Sequence, residues 1–522
     1  MAQIAPRRKY APALDRVLRT LLTDERTIRY RQGILSDILD SPELRKCCEK
    51  LAGEAEAASR TFRMASDDRP HLYRVTARVA ELEDFTHTVD TLHHALRSAV
   101  CLKSEGLRVL RERVETLATS RRYEALRNTI AGLAADMRSI RSVTVGLNLD
   151  LSLRPVEATL LSINRFRFRG SRFADMVLGS ADDSTRRGIA DLHSMVAGKP
   201  GHAMPVAGAL FRDLAAILDQ VSRSMERDLT PFSQTTTRFA TSLKQELVAY
   251  ASAVSLVDRL RRAGLPTCAP VIAPREQRVT DLRDSYNVNL AFRMLEHATD
   301  VQRELVRNDA VLSDPFRVAV LTGPNSGGKS VFLQGLGLAQ LLAQTGMHVP
   351  AASATVSVAD SILTHFQTLE RPDKETGRLH EEASRLRELF DAISRFSLVL
   401  PSETFSSTGS SEAAYLLGDV LRALQRLGAR AAFSTHLHEL ADAVQRDPSY
   451  KSGETQVTNL VALSRSDEDP QAPAQPTYRI ARSEPRGRSY AEMVARQLGI
   501  QYDQLISLFE QSGRLPHGEG GR

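Results

Sequence analysis

The run Gly323-Pro324-Asn325-Ser326-Gly327-Gly328-Lys329-Ser330 constrains the fold more than any other stretch of this 522-residue chain. It satisfies the pattern G-x-x-x-x-G-K-[ST], and its flanks agree with it. The apolar run Val318 to Leu321 predicts a strand before the motif. Val331 to Gln344 predicts a helix after it, stopped at Gly346. This strand–turn–helix order is that of a P-loop: glycines let backbone N–H groups wrap phosphate, and the helix N-terminus adds partial positive charge. In such a loop Lys329 reaches the β- and γ-phosphates of ATP, and the Ser330 hydroxyl reaches Mg²⁺. Gly323, Pro324, Asn325, Ser326, Gly327, Gly328, Lys329 and Ser330 are therefore the candidate nucleotide-binding residues, with ATP and Mg²⁺ the expected cofactors.

A second apolar strand, Phe396 to Leu400, ends in Pro401-Ser402-Glu403. A P-loop ATPase places an Asp here to hold Mg²⁺ and a Glu beside it to orient the attacking water. Glu403 occupies the second place, but Ser402 stands in the first, which makes it a degenerate metal position. A third strand, Ala431 to Ser434, ends in Thr435-His436. A His at such a strand end either senses the γ-phosphate or is structural. Glu403 and His436 are the candidate catalytic residues.

The first half of the chain has another texture. Leu107, Leu110, Val114 and Leu117 fall at helical spacing; after a break near Ser120 the pattern resumes as Leu126, Ile130, Leu133, Met137 and Ile140. These steps predict long helices packed along a narrow seam. Val143, Val145, Leu147, Leu149, Leu151 and Leu153 then alternate, a strand pattern. A second long helix is expected from about Thr235 to Arg262, with Phe239, Leu243, Leu247, Tyr250, Val254, Val257 and Leu260 on its face, stopped by Gly264-Leu265-Pro266. Asn164 to Arg169 alternates Arg and Phe, with Arg172-Phe173 beyond. As a strand it would put Phe on one face and Arg on the other, either as a core row with a solvated cationic face or as a nucleic-acid contact. Ser464 to Thr477 reads as a flexible loop, and the tail after Gln511 as disordered.

Hydrophobic residues at 42% and charged residues at 25% describe a globular chain long enough for several domains. The net charge of +6 permits nucleic-acid binding without demanding it. The four cysteines Cys47, Cys48, Cys101 and Cys268 have no C-x-x-C spacing, and a reducing cytoplasm is the expected location. Asp15, Arg16 and Arg19 interrupt the N-terminal apolar run, so no export signal is expected, and no segment is apolar enough to span a membrane.

The order of motifs carries a resemblance. Thr322 to Ser330 is followed by Val349-Pro350-Ala351, Asp360-Ser361-Ile362-Leu363-Thr364, Glu403 before Phe405-Ser406-Ser407-Thr408, Ser434-Thr435-His436 and Glu439-Leu440. Gly487-Arg488-Ser489-Tyr490 then precedes Val494-Ala495 and Leu498-Gly499, and Val306-Arg307-Asn308-Asp309 leads into the first strand. This set, from about Leu265 to Ile500, resembles the ATPase domain of the MutS family. Asp24 to Leu44 resembles the start of that family's helical core.

The resemblance implies a multidomain fold: a helical core and lever region over residues 1–265, an α/β P-loop NTPase domain of the ABC type over 266–510, and a disordered tail over 511–522. It further implies a homodimer that ATP gates on DNA, in repair or recombination. The chain resembles a short member, without the mismatch-reading domain, its Phe-x-Glu wedge or a nuclease domain. Two departures favour an alternative, a nucleotide-gated scaffold with little turnover. One is Ser402. The other is Gly377, where the family presents a Ser to the partner subunit's ATP. Transporter-type and SMC-type ATPases carry an LSGGQ-like run, which this sequence does not contain.

Overall fold

The computed structural model describes residues 15, 17–64, 71–139, 141–149, 151, 155–169, 185–187, 229, 238–297, 300–324, 326–366, 378–405, 408–465, 475–484 and 498–512. Asn325, Gly377, Ser406-Ser407, Arg172-Phe173, the turn Gly487 to Tyr490 with Val494-Ala495, and the tail after Ser512 lie outside them. The chain divides into two compact units, Met1–Leu39 with Ala249–Arg522, and Asp40–Val248. Helix α1 (Glu25–Asp40) belongs to the first up to Leu39.

The unit Asp40–Val248 is built on helices α2 (Pro42–Met64), α3 (His71–Ser98), α4 (Glu105–Ala118) and α5 (Arg121–Ser139), with the first part of α6 (Arg238–Arg262). The predicted seam is present as far as Leu133; Ile140 and the Met137 side chain lie outside the described residues. Leu107 and Val114 on α4 and Leu126, Ile130 and Leu133 on α5 are buried. The break falls at Thr119-Ser120, where the Ser120 hydroxyl accepts from the Tyr123 N–H at 3.2 Å. Strand β1 (Ser142–Leu149) pairs antiparallel with β2 (Pro155–Asn164), and β3 (Arg167–Arg169) pairs parallel with β4 (Thr185–Arg187). Phe166 and Phe168 stack edge to face at 5.3 Å, while Arg165 and Arg167 are exposed, the alternation a strand imposes.

The face expected of α6 needs a correction in its first half. Phe239 is 43% exposed, whereas Ala240, Lys244 and Val248 are buried. Lys244 sits inward because its ammonium lies 2.6 Å from Asp84 and 3.1 Å from Glu54. Two carboxylates compensate the desolvation that would otherwise exclude a lysine from this face.

The other unit carries two sheets. One orders β5 (Val271–Ala273), β9 (Ser353–Ser357), β6 (Thr280–Ser285) and β7 (Asn308–Leu312) side by side. The second orders β10 (Ile362–His365), β11 (Leu398–Pro401), β12 (Arg430–Ser434), β8 (Val318–Thr322), β13 (Val457–Ser464) and β14 (Pro476–Arg482). Its first five strands run parallel, and β14 returns antiparallel. Every residue of β8, β11 and β12 is buried, which explains why these strands read as unbroken apolar runs. Helix α7 (Val288–Glu296), the short α8 (Val301–Glu304), α9 (Lys329–Gln344), α10 (Arg378–Asp391), α11 (Ser410–Leu427), α12 (His438–Arg446) and α13 (Tyr502–Gln511) complete the unit. Leu417, Leu421 and Leu424 of α11 join Val320, Val399 and Phe433 in one core. Full burial of each leucine contributes roughly 1.5–3 kcal/mol.

Residues 17–39 join this unit through long-range hydrogen bonds. The Gln344 side chain donates to the Leu22 carbonyl at 2.7 Å, Arg29 donates to the Ile272 carbonyl at 2.9 Å, and Gln32 donates to the Pro270 carbonyl at 2.9 Å. Among the described residues no helix is long and apolar enough to cross a membrane.

Candidate nucleotide site

The carboxyl ends of the parallel strands bring the candidate residues together, the place where open α/β sheets bind ligands. After β8 the chain turns through Gly323 and Pro324 and enters α9 at Lys329. Gly323 has φ 131°, and a Cβ there would lie 2.7 Å from the Ala462 carbonyl oxygen of β13. Only glycine fits. Gly328 caps α9 in the left-handed region, φ 83°. Gly327 is packed against Pro324 and Ala462, and Ser326 is exposed.

Lys329 is only 2% exposed. Its ammonium donates to the Gly323 carbonyl at 2.8 Å and the Pro324 carbonyl at 2.9 Å, and lies 3.5 Å from His436 Nδ1. Burial holds the Lys329 pKa below the usual lysine range, opposed by the nearby Glu403 carboxylate. His436 is likewise held low, first by burial and then by the Lys329 charge, with Glu403 opposing. Glu403 completes the group: its Oε1 is 2.9 Å from His436 Nε2. Lysine, histidine and glutamate thus form one chain of contacts across the mouth of the loop.

Beside it runs a chain of hydroxyls. Ser330 Oγ lies 2.9 Å from Ser402 Oγ, which lies 2.8 Å from Ser434 Oγ. Ser402 is 3% exposed and bridges β11 to the end of β12. Where Mg²⁺ is concerned, the donor set is neutral. The neighbouring carboxylate, Glu403, is engaged by His436, and among the described residues no cluster of three His, Cys, Asp or Glu side chains could hold a metal. The Ser330 hydroxyl suits a hard cation, and Ser402 brings no charge to it.

A cleft of about 550 Å³ opens from the loop and is lined by Asn287, Leu290, Leu305, Lys329, Phe332 and Tyr478, among others. Asn287 caps α7, accepting from the Asn289 and Leu290 N–H groups, and donates to the Val331 carbonyl at 2.9 Å. Tyr478 holds φ 57° on β14 and packs beside Gly328. Asn308 clamps it there, donating to the Tyr478 carbonyl at 3.0 Å and accepting from the Ile480 N–H at 2.8 Å. Tyr478 and the cleft were not foreseen from sequence. The only signal is an aromatic in a short strand lying 150 residues beyond the loop.

Both parts of the chain match regions of one family. Residues 319–499 match the model of MutS domain V, and residues 23–263 match that of the MutS2 N-terminal domain. The chain is 32% identical over 215 residues to an endonuclease MutS2 of Thermus thermophilus, a match covering 41% of this chain and 27% of that protein. It is 25% identical over 449 residues to a DNA mismatch repair protein MutS of Prochlorococcus marinus, covering 82% of this chain and 47% of the relative. A Synechococcus protein of the same description is 35% identical over 182 residues, 34% of this chain and 19% of its own length. The chain therefore spans less than half the length of these relatives. With MutS-family regions matched over residues 23–263 and 319–499, and the loop and strand ends inside the second, the chain belongs to the MutS family.

Proposed function

We propose that the loop 323–330 binds ATP and that ATP gates a homodimer of this chain on DNA, in repair or recombination. One observation carries the nucleotide reading: a buried lysine at the mouth of a strand–turn–helix, flanked by the Glu403–His436 pair at 2.9 Å. The triphosphate lies along the loop with Lys329 turned from the loop carbonyls to the β- and γ-phosphates. The base occupies the adjoining cleft, where the Tyr478 ring offers a stacking face. Glu403 orients the attacking water, and His436 reports the γ-phosphate to Glu403. Mg²⁺, which when bound neutralises charge on the transferred phosphoryl group, would be held by Ser330, with Ser402 reaching it through water. DNA is carried over from relatives named for mismatch repair and endonuclease activity, and the excess of basic residues suits a phosphate backbone.

The hydroxyl chain Ser330–Ser402–Ser434 favours a second reading, a nucleotide-gated scaffold with little turnover. Steady-state ATPase with and without duplex, mismatched and branched DNA separates the two. Nucleotide binding itself is tested by Lys329→Ala, which is expected to lose on the order of 1–3 kcal/mol of affinity for a labelled ATP analogue. Unchanged binding overturns the proposal.

A further inference from the structure

Two histidines stand at the carboxyl edge of the parallel sheet, His436 after β12 and His365 as the last residue of β10. His365 is 9% exposed. Its Nδ1 lies 3.2 Å from Thr404 Oγ1, and its carbonyl accepts from the Ser402 N–H at 2.8 Å. Its Nε2 is buried and has no hydrogen-bond partner among the described residues. Burial, and then the Arg385 charge, hold the imidazole below the ordinary histidine range, so it is neutral at pH 7. A neutral ring has one nitrogen that donates and one that accepts, and in either tautomer Nδ1 pairs with a hydroxyl.

The turn beside it is strained. Glu403 has φ 58° and Phe405 φ 60°, two non-glycine residues in the left-handed region within three positions. Each costs on the order of 1–3 kcal/mol and persists only where the surroundings over-determine it. The Ser402 N–H is held by the His365 carbonyl, the Glu403 N–H donates to the Ser434 carbonyl at 2.8 Å, and the Phe405 ring is buried in the core. Thr404, between the two strained residues, is itself buried, and its hydroxyl meets His365.

We propose that His365 is the positioning residue of this turn: through Thr404 it keeps Glu403 in the left-handed conformation that points its carboxylate at His436. The role rests on reading Glu403 as the acid that orients water, because a turn relaxed to ordinary φ aims that side chain elsewhere. It uses one ring nitrogen, and this makes it separable from mere filling of space. Asparagine at position 365 places a polar atom where Nδ1 lies; glutamine places one where Nε2 lies.

The test compares His365→Asn, His365→Gln, Thr404→Ser and Thr404→Val in the full chain, with Glu403→Gln as reference. The first readout is the ¹³C-labelled imidazole resonance of His436 at pH 7, assigned with His436→Gln. In His365→Gln and Thr404→Val it is expected to move toward its position in Glu403→Gln; in His365→Asn and Thr404→Ser it stays with the wild type. The second is turnover against affinity: the first pair loses about tenfold in kcat with the Kd for a fluorescent ATP analogue within about twofold, and the second pair loses neither. Should His365→Gln fail to fold, Thr404→Val, which exchanges the hydroxyl for a methyl group of similar size, decides. A wild-type His436 resonance in Thr404→Val, or His365→Asn as defective as His365→Gln, overturns the role. A wild type no faster than Glu403→Gln sinks the reading of Glu403 instead, and the His436 resonance still decides for His365.

Discussion

Restoring the acid at position 402 tests the metal argument most directly. Ser402 is almost fully buried between the Ser330 and Ser434 hydroxyls, at 2.9 and 2.8 Å. In Ser402→Asp both hydroxyls can turn to donate to the new carboxylate. Each charge-assisted bond is worth about 1.5–3 kcal/mol against about 1 kcal/mol for a neutral one, a recovery of roughly 1–4 kcal/mol in all. Desolvating the carboxylate costs several kcal/mol. Without metal the variant should therefore be less stable than the wild type by about 1–3 kcal/mol. Mg²⁺ with ATP reverses this, since a ligand at about 100 times its Kd stabilises the native state by about 2.7 kcal/mol. At limiting Mg²⁺ the ATPase rate should rise about tenfold, equivalent to about 1.4 kcal/mol at the transition state. The double variant Ser402→Asp with Glu403→Gln keeps the metal-dependent stabilisation but loses the rate gain. The assays are thermal melts in EDTA and in Mg²⁺-ATP, and kcat against Mg²⁺ concentration for the three proteins. A wild type turning over briskly at low Mg²⁺, with no response to Ser402→Asp, would show that another group supplies the metal site.

Gly323→Ala should destabilise the fold by about 2–3 kcal/mol in chemical denaturation and abolish nucleotide binding, because φ 131° and the Ala462 carbonyl leave no place for a methyl group. Unchanged stability would refute the close approach. His436 and His365 both hold depressed pKa values, so between those values and about pH 6.5 the unfolded chain binds more protons than the native one. Their contribution is fully present above that pH and is lost on acidification through the native values; denaturation at pH 7.5 and 5.5 should show a smaller fall in His436→Gln than in the wild type. DNA binding should depend weakly on sequence and steeply on salt, as backbone contacts do. A fluorescence titration that retained a preference for a single mismatch at high salt would reveal a base-reading element.

The strands and helix around residues 323–330 were legible because they are local. Three strands buried on both faces spell unbroken apolar runs, and Gly323, Gly328 and Gly346 punctuate them where φ is positive. Ser402, Glu403 and His436 could be placed because each lies within two positions of the end of such a strand. The face of α6 was misplaced at Phe239 because hydropathy puts lysine outward, and nothing within one helical turn of Lys244 announces Asp84, 160 residues away. The attachment of residues 17–39 was invisible for the same reason: the bond between Gln344 and Leu22 spans 322 positions.

That last contact bears on how the phosphate loop could reach the rest of the chain. Helix α9 begins at Lys329 and ends at Gln344, whose amide donates to Leu22 and to the Ala359 carbonyl and accepts from the Ala359 N–H. Both side-chain polar atoms are thus committed inside the unit, and Gln340 adds a bond to Gln344 at 2.7 Å. Gly346, at φ 79°, lies against Arg31 and Gln32 of α1, so the helix end abuts that segment with no room for a side chain. A helix of 16 residues is a rigid rod about 24 Å long. Were phosphate to displace its N-terminus, the shift would pass to residues 22–32, because the buried Gln344 amide is bonded at both its polar atoms and stripping it costs several kcal/mol, more than a small rotation of the rod. From there α1 runs without interruption to Asp40, where the helical unit begins. The loop that the sequence announces most clearly thus ends its helix on a segment, residues 22–32, whose attachment there the sequence does not announce.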